Sequence, residues 1–210
     1  MKKLNQKGFT LIELLAVITI MGILMIVAIP AVSRTIENTR RGTFANTAQN
    51  YLNAIKTAVS ADEIKCSDGT MLSTKGAGYY YYPFYSGNAT GQDLLEQGGK
   101  SSWADAAVAG VIVIHKTGTA TKPRYDYGMA MVDSGNRGFG GTTLTTNNSA
   151  FSVVILEANI NRNSVTAGDG DGRGKVKKNA TPTLALGTDS KWLYGSTEVT
   201  TAPVLCGTLA

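Results

Sequence analysis

The sequence predicts an α+β protein in which a long, kinked N-terminal α-helix packs against an antiparallel β-sheet domain. Three observations lead there. Residues 14–33 run for twenty positions without a charge, and a helical apolar pattern continues beyond them. After residue 66 the composition turns to Gly, Thr, Ser and Asn, with short β-branched and aromatic runs between. With 43% hydrophobic and 17% charged residues in 210, the chain has enough apolar material for a core and too little charge for a disordered polymer.

The helix begins with its apolar stretch. Twenty residues at a rise of about 1.5 Å span about 30 Å, the thickness of a bilayer's hydrocarbon core. Lys2, Lys3 and Lys7 precede it, which holds the first residues in the cytoplasm and sends the C-terminal bulk outward. Arg34, Arg40 and Arg41 on the far side weaken that bias. A secretory signal peptide shares the basic start and apolar run, but its cleavage site would follow the run, and no convincing A-x-A site stands there. An uncleaved single-span anchor is the stronger competitor.

Glu13 distinguishes these readings. An ionisable side chain at the head of an apolar span is costly and usually functional. A cut after Gly8 would give Phe9 a new α-amine, with Glu13 four residues along the helix. The carboxylate then has two partners, an ammonium group and the positive end of the helix dipole. Opposite charges about 4 Å apart attract by roughly 4 kcal/mol at an effective dielectric of about 20. The amine of a neighbouring subunit would serve equally well.

The run Lys7-Gly8-Phe9-Thr10-Leu11-Ile12-Glu13 and the apolar stretch after it resemble the prepilin processing motif of type IV pilins and pseudopilins. The resemblance covers residues 1 to about 60. It implies that a prepilin peptidase cuts between Gly8 and Phe9 and N-methylates Phe9, and that Glu13 pairs with the Phe9 amine of an adjacent subunit during assembly. Pro30 matches the family's helix-kinking proline. Gly22 and Pro30 bracket the stretch that loses helical geometry in filaments of similar proteins. Both are poor residues for a helix interior, by about 1 and 3 kcal/mol relative to Ala.

Ile36, Phe44, Ala48, Leu52, Ile55 and Val59 continue one helical face, with Glu37, Asn38, Arg41, Asn46, Asn50 and Lys56 between them. The expected organisation is a cleaved leader over 1–8, a helix over 9–62 and a globular sheet domain over 63–210. Within the helix, 9–33 forms the membrane or filament core, and 34–62 packs on the sheet. Pro30 and Gly42 leave open a separate soluble helix for the second half.

Expected strands in the C-terminal domain are 79–85, 110–115, 125–132, 151–158 and 191–198, with a short helix over 91–97 or 101–109. Tyr79-Tyr80-Tyr81-Tyr82-Pro83-Phe84-Tyr85 is an aromatic cluster. Strand alternation turns half of its rings inward as core, and an adhesive or stacking surface is the alternative. Cys66 and Cys206 lack the spacing of a zinc site and are either a disulfide or two buried thiols. A domain outside the cytoplasm favours the disulfide.

Other motifs fail on inspection. Asp169-Gly170-Asp171-Gly172 lacks the later acidic ligands of an EF-hand and is followed by Arg173 and Lys175. Gly174-Lys175 does not complete a P-loop, and Gly138-Phe139-Gly140-Gly141 does not fit the dinucleotide fingerprint. His115 has no recognisable partner for acid–base work. No enzyme, cofactor or metal is therefore expected. Without the three leader lysines the net charge falls from +5 to +2, so no nucleic-acid partner is predicted, and Lys177 and Lys178 read as a solvated loop.

The expected function is a structural subunit of a type IV pilus, held in the cytoplasmic membrane with its C-terminus outside and later built into an extracellular filament for adhesion, motility or DNA uptake. Its expected partners are other pilin subunits, a prepilin peptidase, an inner-membrane assembly platform and, before assembly, membrane lipid. A pseudopilin of a type II secretion or competence system is the alternative. An unprocessed, membrane-anchored adhesin is a third reading.

Overall fold

The computed structural model describes residues 9–86, 99–104, 106–119, 121–140, 143–144, 148–150, 153–166, 181–183 and 192–207. The chain divides into two compact units, Met1–Thr39 and Arg40–Ala210. A single helix, α1 (Leu11–Ser60), supplies elements of both. Its end is well marked. Asp62 takes a left-handed conformation (φ 57°), and the N–H groups of Asp62 and Glu63 donate to the carbonyls of Val59 and Ala58 at 3.2 and 2.9 Å. This pairing is a Schellman motif, which satisfies carbonyls that the last turn leaves open.

In the first unit, the described residues are helical from Leu11 on and their large apolar side chains face outward. In the second, α1 buries Phe44, Ala45, Ala48, Tyr51, Leu52 and Ile55. Spacings of three and four residues place these on one face. Ile36, expected on that face, is exposed, and burial begins only at Phe44. Tyr51 belongs to the buried face, where its ring stacks on Phe84 with centroids 4.3 Å apart.

The sheet is built on an antiparallel meander of β1 (Gly78–Tyr85), β2 (Val108–Thr119) and β3 (Lys122–Asp133). The short strand β4 (Gly138–Phe139) pairs with β3. Next come β5 (Thr143–Leu144) and β6 (Asn148–Ala150), which with β8 (Thr181–Thr183) form a small three-stranded sheet. The main sheet continues from β3 to β7 (Val153–Leu156), β9 (Trp192–Tyr194) and β10 (Thr197–Val199), and β11 (Val204–Leu205) closes the opposite edge beside β1.

The architecture is α+β, as expected, but the sheet is mixed. The pairs β1–β11, β7–β9 and β6–β8 are parallel. None of these pairs is joined by a tight turn, and only a hairpin forces antiparallel direction. The expected strand 151–158 is shorter: β7 ends at Leu156 and Glu157–Asn159 form a 3₁₀ turn. The expected strand 191–198 is a hairpin, folded at Gly195, whose φ of 64° is in the left-handed region. Among the described residues of 101–109 there is no helix. Ser101–Ala104 is a turn, in which the Ser101 hydroxyl donates to Asp133 at 2.6 Å, and β2 begins at Val108. The alternative site for that helix, 91–97, lies outside the described residues, as does the Asp169–Gly172 loop.

Alternation along β1 divides its aromatic residues between two cores. Tyr80 and Phe84 join the layer between α1 and the sheet, with Tyr82 packed against it. Tyr85 is buried in the opposite layer with Val111, Val113, Val154 and Trp192, and Tyr79 and Tyr81 pack against that layer. Pro83 lies past Tyr80 and Tyr81, the two residues of β1 that pair with β11, so its missing N–H falls outside that pairing. Burial pushes the Tyr80, Tyr81 and Tyr82 phenols above their ordinary range. Tyr127 is pushed from the ordinary 10.0 up to about 12, chiefly by burial and further by Tyr125, Glu157 and Asp126.

Two charged groups are buried with their needs met. The Lys116 ammonium donates to the carbonyls of Leu72, Ser73 and Lys75 at 3.1, 2.7 and 2.7 Å, closing the 3₁₀ turn Leu72–Thr74. Burial pulls its pKa down, opposed by Asp62. The Asp133 carboxylate accepts from the Ser101 hydroxyl and from the N–H groups of Gly135 and Arg137, at 2.6, 2.8 and 2.9 Å. This binds the turn after β3 to the loop before β2.

Cys66 and Cys206 are joined by a disulfide across a sequence separation of 140. It ties the segment after α1 to the end of β11, where Ser67 N–H donates to Leu205 and Cys206 N–H donates to Tyr81, both at 2.9 Å. Closing so long a loop contributes about 5 kcal/mol in the chain-entropy model. At about 2 to 4 °C per kcal/mol for a domain of this size, full reduction of the chain in detergent lowers Tm by roughly 10 to 20 °C. An unchanged Tm after complete reduction would refute this contribution.

The raised tyrosines predict a loss of stability in alkali. Below pH 10 folded and unfolded chains both keep the Tyr127 proton. Between 10 and about 12 only the unfolded chain releases it, so unfolding is favoured as pH rises. Lys116 acts oppositely and earlier, since its lowered folded pKa makes stability rise with pH up to its ordinary 10.5. Circular dichroism melts should show Tm falling over pH 10–12, with a shallower fall in Tyr127→Phe. An identical fall in the variant would exclude Tyr127 as a contributor.

Candidate functional site

The N-terminal turn is built from Thr10-Leu11-Ile12-Glu13, a Thr followed three residues later by Glu. That spacing is a capping box, in which each residue's side chain satisfies the other's backbone. The Thr10 N–H and hydroxyl donate to Glu13 Oε2 at 2.8 and 2.7 Å, and the Glu13 N–H donates to Thr10 Oγ1 at 3.4 Å. Glu13 is therefore fixed beside the first open N–H groups of α1, where a negative charge is stabilised. Its other oxygen, Oε1, has no partner among the described residues.

Phe9 precedes this turn and is 90% exposed, while Gly8 lies outside the described residues. From Leu11 to Val32 the helix presents Leu, Ile, Met and Val on every side. A helix apolar all round belongs among lipid chains or other helices. Two of its hydroxyls are satisfied within the helix. The Thr19 hydroxyl donates to the Ala16 carbonyl at 2.8 Å, and that of Thr35 to the Ala31 carbonyl at 3.0 Å. This lowers the penalty of a hydroxyl in an apolar medium. Gly22 and Pro30 both lie inside α1. Pro30 offers no N–H to the turn before it.

The capping role of Thr10 was readable in the sequence, as a Thr-x-x-Glu spacing at the start of an apolar run. It escapes a reading that treats Glu13 only as a charge. His115 sits in β2 with its ring stacked on Tyr79, centroids 4.2 Å apart and planes 6° from parallel. No group of three or more His, Cys, Asp or Glu able to hold a metal occurs among the described residues.

Residues 3–29 match the family model of the prokaryotic N-terminal methylation motif. This is the class III leader of type IV pilins and pseudopilins, so the resemblance carried by residues 7–13 is borne out. The matched motif supports a pilin-like or pseudopilin reading of the N-terminal segment, and the apolar helix fits membrane anchoring. No curated protein and no solved structure matches the chain.

Proposed function

We propose that this chain is a structural subunit of a type IV pilus, cut between Gly8 and Phe9 and assembled through its N-terminal helix into a surface filament. The observation that carries the proposal is the methylation motif placed on a helix whose apolar residues are bare from Leu11 to Val32. Before assembly, lipid covers this surface and the C-terminal domain lies outside the cytoplasmic membrane. After assembly, the helices of other subunits cover it. A prepilin peptidase supplies the cut and the methyl group on the Phe9 amine, and an inner-membrane platform drives the transfer. Adhesion, motility and DNA uptake are the uses such a filament serves.

Glu13 is the assembly residue in this scheme. Cleavage leaves the Phe9–Thr10 peptide intact, so the Thr10 N–H remains and the capping box survives. One carboxylate oxygen is held by Thr10, and Oε1 is free for the Phe9 ammonium of a neighbour. In a low-dielectric filament core, an incoming subunit that left either charge unpaired would be strongly disfavoured. Gly22 and Pro30 bracket the stretch in which helical geometry would yield during packing. The same leader serves pseudopilins of type II secretion or competence systems. A domain of this size, closed by a disulfide, favours the surface filament.

Mass spectrometry of the mature chain should find an N-terminus at Phe9 with one added methyl. Glu13→Leu should be cleaved and inserted normally but be absent from sheared filaments. An intact Met1 would overturn the processing scheme, and filaments of normal yield from Glu13→Leu would overturn the assembly role.

A further inference from the structure

The second unit contains a cleft of about 530 Å³ on the sheet, remote in sequence from the N-terminal motif. It exists because β7 is shorter than its neighbour β3. Residues 122–127 of β3 precede Gly128, the first residue of that strand to pair with β7, and β7 turns away at Leu156 into the 3₁₀ turn Glu157–Asn159. The turn of the β9–β10 hairpin forms another wall, with Tyr194 and Thr197 lining the space. Gly128 makes this possible: a Cβ there would lie 2.7 Å from Tyr194 Cε2 and 2.8 Å from Val154 Cγ1.

Tyr79, His115 and Asp126 form one cross-strand row over β1, β2 and β3, and all three line the cleft. Tyr194 meets that row edge-on, 5.5 Å from the Tyr79 ring and 5.7 Å from His115, and Tyr79 is braced behind by Trp192 at 5.1 Å. The cleft is therefore walled by preset rings and not by adaptable loops.

Two of its polar groups are unfilled. Tyr194 is 6% exposed, and its hydroxyl has no hydrogen-bond partner among the described residues. Buried hydroxyls nearly always have one, which marks this oxygen as an unmet donor beside the cleft. Burial first, then Asp126, keep the phenol protonated. The exposed Asp126 carboxylate makes no ion pair or hydrogen bond among the described residues. Glu157, the other acid of the lining, pairs with Lys56. No Lys or Arg lines the cleft among the described residues.

We propose that this cleft binds an organic cation, a primary ammonium or guanidinium group held by Asp126, the Tyr194 hydroxyl and the surrounding aromatic rings. A carboxylate with no counter-charge repels anions. Two carboxylates among rings do not make the six to eight oxygen ligands that calcium takes. Ring faces and edges beside a carboxylate suit an alkylammonium or guanidinium, which gains from the ring quadrupole as well as the charge. The fold already holds one ammonium in this way: Lys56 pairs with Glu157 and lies 5.5 Å from the centre of the Tyr127 ring. Asp126 with Tyr194 offers the same combination to a guest. That guest is either a free alkylamine or the basic side chain of a peptide, and neither depends on filament assembly.

Nuclear magnetic resonance titration of the full chain in detergent tests this with n-butylammonium, with a short lysine-containing peptide, and with n-butanol as the uncharged counterpart. Saturable shifts of the His115 and Tyr194 ring signals are expected with the amine, and little change with butanol. A stronger response to the peptide identifies the side-chain source, and an equal or weaker one the free amine. Asp126→Asn should weaken binding roughly tenfold or more, and Tyr194→Phe, which keeps the ring, severalfold. Both variants should keep the circular dichroism spectrum and Tm of the parent. No saturable shift with either cation, equal shifts with butanol, or unchanged affinity in a folded Asp126→Asn would overturn the proposal. Leader cleavage and filament yield would be unaffected by those results.

Discussion

The backbone hydrogen-bond ladder of α1, running from Leu11 to Ser60, is the constraint on which the remaining features depend. An apolar surrounding offers no water to an open N–H or carbonyl, so a chain entering lipid must satisfy its backbone within its own segment. The ladder does this for the interior, and the two ends need separate solutions. At the N-terminus, Thr10 and Glu13 exchange hydrogen bonds. At the C-terminus, Asp62 and Glu63 return theirs to Val59 and Ala58. Side-chain hydroxyls follow the same rule, as Thr19 and Thr35 bond back to carbonyls of the helix.

The same element carries two kinds of surface. Up to Val32 its apolar side chains are unselective, as suits an anchor or a packed bundle of like helices. From Phe44 to Ile55 they are confined to one face and meet a sheet that is itself apolar on both sides. Burial on both sides explains why β2 reads as a nearly unbroken apolar run and not as alternating polar and apolar residues. It also explains the tyrosines of β1. They meet apolar material on whichever side they point, and the alternation decides only which core each one joins.

The mixed direction of the sheet follows from how its margins are attached. The central meander is made by local turns and is antiparallel. β11 lies far along the sequence from β1, and the Cys66–Cys206 bond beside it helps hold it parallel to that strand. β9 pairs in parallel with β7, from which the 3₁₀ turn and β8 separate it in sequence. Where β7 stops at Leu156 while β3 continues, the sheet opens into the aromatic cleft.

The sequence by itself determined the N-terminal helix of this protein. Its signals are local: a charge-free run, a Glu at a fixed distance from Gly8, and a helical period carried through Phe44, Ala48, Leu52 and Ile55. The meander was legible for the same reason, because β-branched and aromatic runs bounded by turn residues report on neighbours a few positions away. Tertiary structure alone decided the parallel margins and the turn at Ser101–Ala104, at one of the two places where a short helix was expected. It also brought Tyr79, Asp126 and Tyr194 to one cleft and Lys116 into the core. These depend on contacts between residues tens of positions apart, and neither periodicity nor local propensity carries information over that distance.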